Sequence, residues 1–92
     1  MKLSDKVRVP DDVISREVGE GTVMLDLAKG AYFGLDPVGG RMWQLLGEGR
    51  SLAEVRDAIV EEFDVSREVV ERDLLALVDQ LRAEGLLQAA DD

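Results

Sequence analysis

The side chains that ordinarily carry catalysis are scarce in this chain. It has no histidine and no cysteine, which removes the commonest general base, the commonest metal ligand and any thiolate nucleophile. Its serines are Ser4, Ser15, Ser51 and Ser66, but a serine hydroxyl needs an adjacent base before it can attack, and Ser51 and Ser66 stand where helix caps are expected. Carboxylates are abundant, and a working pair among them stays open on spacing alone. Gly19 and Gly21 lack the strand–loop–helix setting of a dinucleotide fingerprint, and Gly39 and Gly40 are not followed by the Lys-Ser or Lys-Thr of a phosphate loop. Turn and packing roles are expected for these glycines, and no cofactor is expected. What remains is recognition without bond making. The backbone of a β-type run over residues 31–35 and an apolar shelf on the last helix are the groups that could do it.

The elements that position these groups meet at residues 31–46. A strand-like run stops at Asp36-Pro37 and a helix begins there, because Asp suits an N-cap and Pro suits the first helical position, where its missing N–H would be unpaired in any case. Upstream, residues 13–18, 22–27 and 31–35 form short strands separated by glycine-containing turns, the order of a meander. On the second strand the alternation is read with Val23, Leu25 and Leu27 on the core face and Thr22, Met24 and Asp26 on the wetter face. On the third, Ala31, Phe33 and Leu35 share one side, Tyr32 and Gly34 the other. Residues 1–12 form a polar arm in which Val7, Arg8 and Val9 could pair weakly, and residues 88–92 form a frayed tail.

Downstream, apolar spacing turns helical. The first helix is expected over residues 37–46 with Met42, Trp43 and Leu46 inward. Gly39 and Gly40 in its first turns each cost about 1 kcal/mol of helix propensity, so another element, the third strand or the last helix, should approach closely there. Ser51 and Glu54 match a capping box for a second helix bearing Leu52, Val55, Ile59 and Phe63 at intervals of three and four. Ser66 caps a third helix that runs to about residue 84, with Gly85 stopping it. There Val70, Leu74, Leu77 and Leu81 form the core stripe, and Leu75 and Val78 extend the apolar surface sideways. That extension is either a wide core contact or the wall of a groove. A groove beside an unpaired strand suits an extended peptide whose backbone completes the sheet.

Ninety-two residues make one domain, with little room for a deep catalytic cavity. The N-terminus has no apolar signal core, and no run approaches the roughly 18 apolar residues of a membrane span, so a soluble, cytoplasmic protein is expected. Twenty acids stand against eleven bases, a formal charge of −9. Such a chain is repelled by phosphate backbones, which directs attention to peptide and protein partners and away from nucleic acid. Solubility alone would also account for the acidity.

The runs from Gly30 to Leu46, from Ser51 to Val55 and from Phe63 to Val65, the pair Asp73-Leu74, and Leu81 with Gly85, Leu86 and Leu87 together resemble the coenzyme PQQ synthesis protein D (PqqD-like) family over residues 13–87. Within it the chain is most similar to the stand-alone precursor-recognition proteins of lasso-peptide biosynthesis. The resemblance implies an α+β, winged helix-turn-helix-like domain, a three-stranded antiparallel sheet followed by three helices, known as a RiPP recognition element. Such domains bind the leader segment of a ribosomally made precursor peptide and present it to a leader protease and a cyclase. The implied peptide-binding residues are Ala31, Tyr32, Phe33, Gly34 and Leu35 on the third strand and Val70, Asp73, Leu74, Leu75, Leu77 and Val78 on the third helix. Asp36 stands where Asn is also common, and either residue can cap.

Two other readings compete. A winged-helix DNA-binding regulator has the same element order, but its recognition helix would carry Arg67, Arg72 and Arg82 against Glu68, Glu71, Asp73, Asp79 and Glu84, an acidic balance where phosphate contact needs positive charge. A small enzyme would lack a base for any of its serines.

Overall fold

The computed structural model describes residues 1–90. Its strands are β1 (Val7–Arg8), β2 (Val13–Val18), β3 (Gly21–Asp26), β4 (Ala31–Leu35) and β5 (Gln88–Ala89), and its helices are α1 (Pro37–Gly47), α2 (Leu52–Glu62) and α3 (Arg67–Ala83). The expected α+β order holds: an antiparallel sheet in the order β2-β3-β4, then three helices. β4 is therefore an edge strand, as is β2 on the far side.

Each turn follows from its residues. Gly19, at φ +61, takes the first central position of the two-residue turn between Val18 and Gly21, where a left-handed residue matches the twist of the strands. The β3–β4 turn is built on Asp26, whose Oδ1 accepts from the amides of Ala28 at 3.0 Å and Lys29 at 3.2 Å. Asp36 caps α1 by accepting from the Gly39 amide at 2.7 Å. In the α2 capping box the Glu54 amide donates to Ser51 Oγ at 3.2 Å and the Ser51 amide to Glu54 Oε1 at 2.8 Å, and Ser66 accepts from the Val69 amide at 3.3 Å to start α3.

The two faces of β3 are the reverse of the alternation expected for residues 22–27. Met24 is fully buried and Asp26 nearly so, while Val23 and Leu25 are half-buried and Leu27 is exposed. The strand has apolar residues on both sides, so hydrophobicity did not separate them. Packing against α1 did: Gly40 leaves room for Thr22, because a Cβ there would overlap the Thr22 hydroxyl. Asp26 tolerates its buried place because the turn amides satisfy its carboxylate. The close approach expected at Gly40 thus comes from the middle strand of the sheet, and only Gly39 faces the end of β4, with a Cβ position 3.5 Å from the Leu35 side chain.

The termini are more ordered than an arm and a frayed tail. β1 pairs with β5, Val7 opposite Ala89, Val7 is buried, and the carbonyls of Asp5 and Leu3 accept from the Leu52 and Ala53 amides at 2.9 and 2.8 Å. The arm satisfies orphan donors at the start of α2. Residues 91 and 92 of the expected tail lie outside the described residues. The core joins Met24 of the sheet to Leu45 and Leu46 of α1, Leu52, Val55 and Ile59 of α2, and Leu74, Val78 and Leu81 of α3. Across the helices, Arg41 grips Glu62 through two bonds of 2.7 and 2.9 Å, and the buried Arg56 bridges Asp57 and Glu71, each at 2.9 Å.

Candidate peptide-binding site

Which backbone groups β4 leaves free follows from the bonds of its neighbour. Just after β3, the Leu27 amide donates toward β2, to the Asp12 carbonyl at 2.8 Å. Successive residues of a strand direct their N–H and C=O to opposite sides, so Val23 and Leu25 also face β2, and Thr22, Met24 and Asp26 face β4. The Asp26 carbonyl agrees, accepting on that side from the Gly30 amide at 2.8 Å. In register these three stand opposite Leu35, Phe33 and Ala31. Ala31, Phe33 and Leu35 therefore bond inward to β3, and Tyr32 and Gly34 turn their N–H and C=O outward.

Beside that free edge lies a groove of about 520 Å³ between β4, the start of α1 and one side of α3. Phe33, Gly34 and Leu35 line it from the strand, and Val70, Asp73 and Leu77 line it from α3. The structure thus brings together six of the residues expected from sequence. Ala31 and Tyr32 stand further along the edge, exposed and outside the groove. Leu74 and Val78 are fully buried and cannot touch a ligand; they belong to the core. Leu75 is half-buried against the core and is not among the groove-lining residues.

The exchange of roles between Leu77 and Val78 is a matter of helical angle. At about 100° per residue, Val70, Leu74, Val78 and Leu81 cluster on one line, Leu77 falls to one side of it and Leu75 well to the other. Leu77 therefore turns toward β4, and Val69, Asp73, Ala76 and Gln80 join it there. Sequence reasoning missed Val65, Val69, Ala76 and Gln80, as well as Val38 and Met42 of α1. Val69, Asp73, Ala76 and Gln80 recur at intervals of four and three, a spacing that was available; it was hidden because two of the four are polar and one is alanine.

The groove is apolar apart from Asp36, Asp73 and Gln80. Asp36 is engaged as a cap, and among the described residues Asp73 meets only Arg72 at 3.4 Å, with both side chains mostly exposed. A second concavity, about 560 Å³, lies between β2 and α1, but Ser15, Glu17, Arg41 and Gln44 contribute to its walls. Val9, Val13, Trp43 and Phe63 line it as well, so an added strand there would meet apolar surface broken by charged and polar side chains, where the β4 groove is more uniformly apolar. Among the described residues no helix is long and apolar enough to cross a membrane.

A match to coenzyme PQQ synthesis protein D spans residues 21–87, from β3 through the end of α3 and so across the whole groove. The chain belongs to the PqqD family. Two solved structures extend the PqqD likeness to nearly the full chain. One, described as TbiB1 in complex with the TbiA(beta) leader peptide, is 42% identical with a TM-score of 0.83, over 92% of this chain and 99% of that one. The other, a lasso peptide synthetase B1 complexed with the leader peptide, is 30% identical with a TM-score of 0.81, over 89% and 96%. Comparison with curated proteins finds no match.

Proposed function

We propose that this chain is a non-catalytic recognition module that binds the leader segment of a ribosomally made precursor peptide. The observation that carries this reading is the free edge of β4 standing directly beside the apolar groove on α3. A peptide added to that edge would take hydrogen bonds from Tyr32 and Gly34 and send alternate side chains into the groove, against Phe33, Leu35, Val69 and Leu77. This is strand addition, in which backbone bonds give affinity and pockets for alternate side chains give specificity. The two similar structures, each described with a leader peptide bound, support the same assignment.

In this reading residues 13–87 hold the recognition element, and residues 1–12 brace it through the β1–β5 pairing. A leader protease and a cyclase are the partners to which the bound precursor, of the lasso class, would be presented, in the cytoplasm where precursors are translated. Catalysis would belong to those enzymes, in keeping with the lack of histidine and cysteine here.

The test is a titration at low and high salt with two ligands, the TbiA(beta) leader peptide of the 42% identical structure and a DNA duplex. Leader affinity is expected to change little with salt, because apolar burial and backbone bonds dominate, whereas phosphate binding falls steeply. Binding to the duplex with no response to the leader would overturn the proposal.

A further inference from the structure

Gly34 is not required by the fold of the chain itself. Its φ is not in the left-handed region, and among the described residues a Cβ built on it would meet nothing within 4 Å. Glycine in a strand interior gives up side-chain packing and backbone entropy, and where the fold makes no demand for it, it marks close approach by something else. The contrast with Gly21 and Gly40 is direct, since a Cβ at either of those would collide with Leu35 or Thr22.

The empty space lies on the sheet face turned away from the helices. Gly34 pairs with the half-buried Val23, and Phe33 with the fully buried Met24, so Gly34 and Val23 share the outer face. Tyr32 is two residues along on that same face and is 77% exposed. A bare position thus stands between a half-buried valine and a largely uncovered aromatic ring, at the edge where Gly34 offers its N–H and C=O outward.

We propose that Gly34 is a specificity-determining residue: the leader strand added to β4 lays an aromatic side chain across it, into the space framed by Tyr32 and Val23. The proposal rests on the leader-binding reading above. Residues on one face of a strand are spaced by about 7 Å, so a ring over Gly34 would lie within the 4.5–7 Å or so at which aromatic pairs attract. Aromatic residues are the side chains that cover a glycine on a neighbouring strand, because a flat ring can lie along the exposed backbone. One occupant then accounts for both features, the glycine with no steric purpose and the tyrosine with no cover. Leaders with only small residues at this register would leave Tyr32 uncovered and bind less well.

The experiment measures thermal stability of the parent, Gly34→Ala and Gly34→Val, then fluorescence-polarisation titrations with the labelled TbiA(beta) leader peptide of the 42% identical structure. The titrations are repeated with leaders in which each aromatic residue in turn is alanine. The variants are expected to melt no lower than the parent and to bind the unmodified leader about tenfold more weakly. One aromatic-to-alanine leader should lose about tenfold with the parent chain and almost nothing further with the variants. Binding of the unmodified leader by both variants within about twofold of the parent, or an equal loss for every leader, would overturn the proposal. So would unfolding of both variants, which would return the glycine to a structural role. A parent chain that binds no leader would instead undo the leader-binding reading itself.

Discussion

Thr22 and Gly40 meet where β3 crosses α1, so closely that a Cβ on Gly40 would overlap the Thr22 hydroxyl. That contact seats the face of β3 that carries Thr22, Met24 and Asp26 against α1. Gly40→Ala would gain about 1 kcal/mol of helix propensity, yet the clash is worth more, because overpacking typically costs about 1–3 kcal/mol. The variant is expected to be less stable than the parent in urea unfolding; equal or greater stability would show that the strand and helix can separate freely.

The direction of the β4 backbone makes a parity prediction. Proline at position 32 or 34 removes an outward N–H, and is expected to weaken leader binding by about 1 kcal/mol or more while the chain stays folded. Proline at 33 removes an N–H bonded to β3 and should destabilise the fold instead. Circular dichroism and leader titration together separate the outcomes, and a folded chain with proline at 34 that binds like the parent would exclude strand addition at this edge.

Adjacent residues on α3 should part in the same way. Leu74→Ala is expected to cost about 2–5 kcal/mol of stability, as for a fully buried leucine, and Val78→Ala to act in the same direction. Leu77→Ala and Val69→Ala should leave most of the stability and reduce leader affinity. If Leu77→Ala destabilised as much as Leu74→Ala and left affinity untouched, the groove assignment would fail.

Acid should loosen the helices. The hydrogen bonds from Arg41 hold the Glu62 carboxyl below its ordinary pKa, those from Arg56 do the same for Asp57, and the Ser51 amide and hydroxyl do so for Glu54. A carboxyl with a lower pKa folded than unfolded contributes stability that is fully present above the unfolded value, about 4, and is lost as pH falls through the folded one. Glu62→Gln is therefore expected to lower Tm at neutral pH and to converge on the parent below about pH 4. A gap that stayed constant from pH 7 to about pH 3 would exclude the Arg41–Glu62 pair as its source.

Local signals were read directly from the chain. Asp36 caps α1 through an amide three residues on, Ser51 and Glu54 cap each other within one turn, and Gly19 or Gly85 ends an element through its own φ, so the order of the strands of the sheet and the helices, the edge position of the third predicted strand, and the family resemblance were all legible in sequence. What needed the tertiary structure were choices between near-equal local alternatives. β3 has apolar residues on both faces, and the packing of the sheet on the helices, with Thr22 fitted against Gly40, put Met24 and Asp26 inside. α3 has leucine or valine at 74, 75, 77 and 78, and only its rotation against α1 and α2 sent Val78 to the core and Leu77 to the groove. The inward or outward aim of each β4 amide depends on a register set two strands away, at Asp12 and Leu27. The pairing of Val7 with Ala89 joins residues at opposite ends of the chain, which no short-range periodicity can report. Caps and turns are settled by neighbours within a few residues, whereas faces and edges are settled by whichever element arrives from elsewhere to cover them.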